Sequence, residues 1–338
     1  MPSIRIRRIL LGLAAVTLVA PAQAQESVSI ALDWVVNGTH AGYFVAKDRG
    51  YYKEAGLDVT ISRGFGSGDT VKRVASKSAQ FGVADTGAII ASRANDDIPV
   101  RIVAMMYDRA TLGLIFLAES GIKVPKDIEG RTLGRSASGA TVNMFPGFLK
   151  ANSLDRGKIK EVVVDGATFA PLLLSGKVDA VLEQSINIGK FRRLAESQGK
   201  KVMAMSYAQF GLEAYGNAII VHPSTLADKA ETVRKFVAAT LRGTAYAFDN
   251  PGEAIIIIRK TNPEIDAAAA MDELLTLKDI ESSPDVKKNG LGSIVTARLE
   301  KTRDNVTEAL SLKKKVAIGD LYAAGFLPKV PVAAPGAK

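Results

Sequence analysis

The sequence predicts an α/β protein of two lobes, each built on a parallel-rich sheet, with a two-crossover hinge between them. Three observations lead there. Strand-like and helix-like patterns alternate along the first two thirds of the chain. Two stretches of that region repeat one plan. And 338 residues, 47% of them hydrophobic, suffice for two cores at about 100 to 200 residues per domain.

The amino terminus reads as an export signal, residues 1–24: Arg5, Arg7 and Arg8 precede the apolar run Ile9 to Ala20, and Ala22-Gln23-Ala24 offers a small-x-small cleavage site. The apolar run is well short of the roughly 20 residues that a spanning helix needs. With no cysteine in the chain, a lipid anchor, disulfides, thiolate metal sites and thiol nucleophiles are excluded. Removing the signal lowers the formal charge from +9 to +6, and the basic residues are dispersed apart from Lys313-Lys314-Lys315, so nucleic acid is not an expected partner.

Val28 to Leu32 alternates as a strand, and Ala41, Phe44 and Val45 fall at helical spacing before Gly50 stops the helix. Leu57 to Ile61 is a second strand, Asp69 to Lys77 a helix, Phe81 to Ala84 a third strand and Ala88 to Asn95 a helix. A second unit begins near Gly113. It has strands at Leu114 to Ala118, Arg131 to Gly134, Glu161 to Val164 and Val178 to Leu182, with helices at Thr141 to Ala151 and Phe169 to Leu174. The two units align where Lys77 to Asp85 lies against Ser175 to Glu183: a helix end, a turn and a strand that finish on an acid in each. After strands at Val202 to Met205 and Gly216 to Val221, Thr225 to Phe248 is one long helical pattern, and the chain stays helical to about Leu312. The late helices are therefore expected to pack back on the first lobe. The resulting organisation is residues 25–110 with 216–328 in the first lobe, 111–215 in the second, and a disordered tail at 329–338. Ligand-facing loops in such sheets lie at the carboxyl ends of the strands.

The run Leu32-Asp33-Trp34-Val35-Val36-Asn37-Gly38-Thr39-His40-Ala41-Gly42-Tyr43, with Gly50-Tyr51-Tyr52, Glu54 and Gly56-Leu57-Asp58-Val59, resembles the opening of the NMT1/THI5-like family. Gly82-Val83-Ala84-Asp85, Lys177-Val178-Asp179-Ala180 and the ending Asn305-Val306, Asp320-Leu321-Tyr322 and Phe326-Leu327-Pro328 extend the likeness over most of the chain. The resemblance implies a type II periplasmic-binding-protein fold. It further implies a monomeric substrate-binding protein in the periplasm that hands a small molecule to an ABC permease in the inner membrane, without a cofactor. Ligands in the wider group include thiamine-precursor pyrimidines, sulfonates, taurine and nitrate. A yeast branch makes the thiamine pyrimidine itself, consuming a lysine-bound pyridoxal phosphate and a histidine, and carries a cysteine-rich motif. The present chain has no cysteine, so binding without catalysis is the expectation and synthesis the alternative.

The candidate ligand residues follow the strands. Trp34, the one tryptophan, comes just after the first strand and offers a stacking face, or else fills a core. Asn37 and His40 present donors and acceptors to ring nitrogens, or cap the helix that follows; Tyr43 shares the face of His40 and serves either site or core. Asp85 and Glu183 each end a strand, where a carboxylate accepts from a ligand amino group or caps a helix. Gly64 to Asp69, with Ser67, and Ser136 to Thr141, with Ser138 and Gly139, precede helices whose N–H groups could hold an oxygen. Tyr215 and Asn217 sit at the second of two crossovers, near residues 108–113 and 209–217. Only two histidines are present, His40 and His222, so no histidine metal site is expected.

Three classes of function fit these observations: a transport binding protein, an exported enzyme, and a sensor subunit. Neither a phosphate loop nor a nucleophile elbow is present in the sequence, which favours the first. A sulfonate or nitrate site would gather arginine and lysine around the anion. The loops offer Trp34, Asn37, His40, Asp85 and Glu183, with Arg63 and Arg135 the nearest bases, which favours an aromatic heterocycle with amino groups such as a thiamine-precursor pyrimidine. Export makes its own prediction. The intact mass of protein from the periplasmic fraction should correspond to a chain starting at Gln25, and a chain still starting at Met1 would contradict it.

Overall fold

The computed structural model describes residues 25–336; the expected export signal and its cleavage site lie outside the described residues. Ten strands form two five-stranded sheets of one plan, β2-β1-β3-β10-β4 and β7-β6-β8-β5-β9. The first contains β1 (Glu26–Ala31), β2 (Leu57–Ser62), β3 (Phe81–Asp85), β4 (Arg101–Met105) and β10 (Asn217–Val221). The second contains β5 (Gly113–Leu117), β6 (Thr132–Arg135), β7 (Lys160–Val163), β8 (Ala180–Leu182) and β9 (Val202–Ser206). β3 and β8, the strands of the internal repeat, take the same middle place in their sheets. The protein is thus an α/β molecule of two lobes.

Each sheet has one antiparallel member: β10 runs against β3 and β4, and β5 against β8 and β9. Both are the strands that arrive from the other lobe, because the chain leaves the first sheet after Met105, enters the second at Gly113, and returns between Ser206 and Asn217. A chain entering from the interface must run away from it. The parallel strands run the other way, so their carboxyl ends and following loops converge between the lobes, where open α/β sheets hold ligands.

β4 and the helix Ile188–Glu196 are elements that the sequence patterns do not reveal. Val100 to Met105 is buried at nearly every position and so lacks the alternation that marks a half-buried strand. The late helices also differ from expectation, since they touch both lobes. Thr296–Ala309 packs against Thr86–Asp96 of the first and Ala140–Ala151 of the second, and Ala267–Ile280 packs against Ile188–Glu196. Leu299 and Val306, fully buried, join one apolar cluster with Ile89 and Phe148, so the core itself runs across the lobes. In the tail, the Val332 carbonyl accepts the Leu291 N–H at 2.8 Å and Ala334 is buried, contacts that a disordered end would lack.

Arg298, from the helix Thr296–Ala309, braces both crossovers. Its guanidinium donates to Asp108 Oδ1 (2.7 Å), to the Asp108 carbonyl (2.8 Å) and to Asp285 Oδ2 (3.0 Å), and lies 4.5 Å from the centre of the Tyr215 ring. The Asp108 N–H donates to buried Glu281 at 2.8 Å. Three separate parts of the chain therefore meet at one residue of the first crossover.

In the first lobe the helices Ala41–Asp48 and Ala230–Asp249 pack backbone to backbone at Gly42 and Gly243. A Cβ on Gly243 would lie 2.3 Å from the Gly42 carbonyl oxygen and 2.7 Å from Ala46 Cβ. Gly243→Ala gains about 1 kcal/mol of helix propensity. The clash is with backbone that cannot swing aside, and overpacking costs about 1–3 kcal/mol or more, so overpacking wins. Urea unfolding should show Gly243→Ala destabilised. Gly252→Ala, with open space around its Cβ, should be neutral or slightly stabilised; equal behaviour of the two would contradict the packing account.

A pocket between the lobes

The loop after β1 builds the floor. Asp33 is buried and has both oxygens occupied: His40 Nε2 donates to Oδ1 (3.0 Å) and Asn217 Nδ2 to Oδ2 (2.8 Å). His40 Nδ1 accepts the Asn37 N–H at 3.1 Å, which assigns the ring proton to Nε2. Asn37 Oδ1 accepts from the Thr39 N–H (3.1 Å) and hydroxyl (2.6 Å), so the amide caps the 3-10 turn Gly38–His40. Its Nδ2 remains free for the other lobe and donates to Asn187 Oδ1 at 3.3 Å.

Trp34 projects across the interface to Phe169, with ring centres 6.5 Å apart. Gly166 of the second lobe lies against the indole edge, where a Cβ would stand 2.3 Å from Cζ2. Only glycine permits that approach. Beside Trp34 is a pocket of about 830 Å³ with apolar walls from Val36, Phe44, Ile61 and Phe191. Its inner polar groups include Asn37, Glu183, Asn187, Lys190 and Glu273, and Arg63, Glu264 and Asp266 also line it. Arg193 at its edge pairs with Asp266 across the lobes at 3.6 Å. A volume of this order and a mainly apolar lining with a few polar groups suit a small organic ligand.

Glu183 follows β8, and its Oε1 accepts the Gln184 N–H (2.7 Å) and Asn187 Nδ2 (2.9 Å). Glu273 belongs to Ala267–Ile280, and its Oε2 accepts the Gly38 N–H at 2.7 Å. Both side chains are buried, and loss of water raises each carboxyl to about 7.

Of the residues that the sequence nominates, Trp34, Asn37 and Glu183 line this pocket. Ser138 lines a second pocket of about 440 Å³ on the other side of Trp34, where its hydroxyl donates to the Phe65 carbonyl at 2.9 Å and joins the two glycine-rich loops. Gly139, at the start of Ala140–Ala151, donates its N–H to Ser136 Oγ at 3.0 Å. The others lie beneath the pocket or in the hinge. Asp85 caps Thr86–Asp96 by accepting the Gly87 (2.9 Å) and Ala88 (3.2 Å) N–H groups, and burial raises its carboxyl to about 7. Ser67 Oγ accepts the Asp85 N–H at 3.0 Å. His40 and Asn217 hold Asp33, while Tyr43 is in the first-lobe core with its hydroxyl buried. The Tyr215 hydroxyl accepts the Val295 N–H at 3.1 Å. Arg135 pairs with Glu161 at 2.6 Å, whereas Arg63 lines both pockets, its guanidinium 4.5 Å from the Phe65 ring centre.

Glu273, Asn187 and Lys190 are pocket residues that the sequence reading misses. Glu273 left a signal: with Ala269, Ala270, Leu274 and Leu277 it falls on the buried stripe of its helix, where an acid is out of place unless it meets donors. Among the described residues no cluster of three or more histidine or acidic side chains is placed to hold a metal ion, and no helix is long and apolar enough to cross a membrane.

The NMT1/THI5-like family model matches residues 37–254. The chain is 25% identical over 243 residues to a formylaminopyrimidine-binding protein of Halalkalibacterium halodurans, covering 72% of each chain. It is 30% identical over 249 residues to the riboflavin-binding protein RibY of Chloroflexus aurantiacus, covering 71% of this chain and 67% of that one. A Legionella pneumophila relative, 24% identical over 73% of this chain and 77% of its own, is named 4-amino-5-hydroxymethyl-2-methylpyrimidine phosphate synthase. In fold, the alkanesulfonate-binding protein SsuA of Xanthomonas axonopodis pv. citri superposes with a TM-score of 0.67 at 12% identity, over 89% of this chain and 99% of that one. The matched residues make up well over half of the sequence, and the chain belongs to the NMT1/THI5-like family.

Proposed function

We propose that the protein is an exported substrate-binding protein that encloses a small aromatic heterocycle bearing amino groups, of the thiamine-precursor pyrimidine class, and delivers it to an ABC permease. The observation that carries this reading is the pairing of the Trp34 face with the buried acceptor Glu183 in one interlobe pocket. A flat ring gains apolar burial and stacking on the indole. Its N–H groups supply donors to Glu183 Oε2, the oxygen to which no described residue donates, and a buried acceptor left unpaired is costly. The formylaminopyrimidine-binding relative supports the same ligand class.

Capture is by closure: the lobes 25–110 with 216–328 and 111–215 rotate about the two crossovers onto the ligand. Because Trp34 and Asn37 come from one lobe and Glu183 from the other, a ligand touching all three binds the closed form better than an open one and shifts the equilibrium toward it. No chemical step is required.

Since Trp34 is the only tryptophan, its fluorescence reports directly on the pocket. Titration with aminopyrimidines should change that emission. By calorimetry, Trp34→Ala should cost roughly 1 to 3 kcal/mol of affinity, the scale of base stacking on aromatic side chains. Glu183→Gln should weaken an aminopyrimidine and leave an anion unaffected or improved. Tight binding of taurine, an alkanesulfonate or nitrate, with no response to any aminopyrimidine, would overturn the ligand class in favour of an anion-binding protein of the same fold.

A further inference from the structure

Glu183 and Glu273 are joined through the protein by a short polar relay. Glu273 Oε2 takes the Gly38 N–H; the neighbouring Asn37 side chain donates to Asn187 Oδ1; and Asn187 Nδ2 donates to Glu183 Oε1. The relay crosses the interface at the Asn37–Asn187 bond, so one carboxylate stands on each side of it. In each, one oxygen takes every donor that the described residues provide. Glu183 Oε2 and Glu273 Oε1 are left with acceptor capacity, and both side chains line the pocket at 6% and 4% exposure.

We infer that Glu273 is the first lobe's specificity-determining anchor, and that the ligand is a flat monocation with two separate N–H groups, one received by Glu183 and the other by Glu273. This rests on the reading of the protein as a binder of amino heterocycles and adds a residue and a charge count to it. Lys190 is near enough to favour the ionised form of both carboxyls, while Asp33 opposes it at Glu183, and Glu183 and then Asp272 oppose it at Glu273. The pocket lining carries four acids, Glu183, Glu264, Asp266 and Glu273, and three bases, Arg63, Lys190 and Arg193, which leaves one negative charge that a monocation cancels. Burial lifts each carboxyl to about 7, the cost of a charge held without its counterpart, and a bound cation would remove that cost.

The test varies ligand and protein together, on the mature chain refolded free of carried-over ligand. The probes are 4-amino-5-aminomethyl-2-methylpyrimidine, its analogue without the ring amino group, and 4-amino-2,5-dimethylpyrimidine, which lacks the aminomethyl cation. Wild type should bind the first about tenfold or more tighter than either analogue, the size of one charge-assisted hydrogen bond. Glu273→Gln, which keeps an acceptor for the Gly38 N–H, should erase the advantage conferred by one of the two groups and preserve the other; Glu183→Gln should do the converse. The ligand-side comparison does not depend on any variant folding. If no probe binds, the functional reading itself fails. If the two-donor compound binds wild type and Glu273→Gln equally well, or if the single-donor analogues match it, Glu273 is no anchor and the functional reading stands without it.

Discussion

A carboxylate taken out of water must be given donors, and six of them are buried along or near the seam between the lobes: Asp108, held by Arg298, together with Asp33, Asp85, Glu183, Glu273 and Glu281. Their donors tie the molecule together. Asp33 is held by the first helical turn and by β10, Asp85 by the helix it starts, Glu183 by its own loop, Glu273 by the loop after β1, and Glu281 by the first crossover. Remove these bonds and the loop that carries Trp34 and Asn37 has no fixed place relative to the hinge. The two acids that retain an accepting oxygen toward the pocket are Glu183 and Glu273, whereas Asp33 is saturated by the protein and Asp85 is spent on a helix terminus.

The same seam explains why the late helices matter. Arg298 connects Asp108 of one crossover with Tyr215 of the other, and its helix fills the angle between helices of both lobes. A two-lobed molecule hinged only by two strands of chain would be free to open widely. Here an apolar cluster continuous across the lobes opposes that, because wide opening would expose buried area.

Much of the architecture was legible because parallel sheets impose a strong alternation of strand and helix patterns, and because β3 and β8 repeat one motif. β4 was not, since its residues are buried on both faces, and neither was the sharing of the late helices, since a periodic stripe shows that a face is covered and not what covers it. For the site, the rule that ligands meet the carboxyl ends of strands led to loops that line the interlobe pocket. It could not tell which way each side chain turns within them. Trp34 and Asn37 face the pocket while His40 turns to Asp33 and Tyr43 to the core; Glu183 faces the pocket while Asp85, its counterpart in the repeat, caps a helix. Glu273 lies far along the chain from any strand end and is brought to the pocket only by tertiary packing.

In the proposed mode of capture, one ligand is held by both lobes at once, against Trp34. A crystal structure of the mature protein grown with 4-amino-5-aminomethyl-2-methylpyrimidine examines it directly. The ring should lie on the indole face between the lobes, with N–H groups directed at carboxylates from each side of the Asn37–Asn187 bridge. Density for the compound outside the interlobe pocket, or inside it with contacts to a single lobe, would contradict the account.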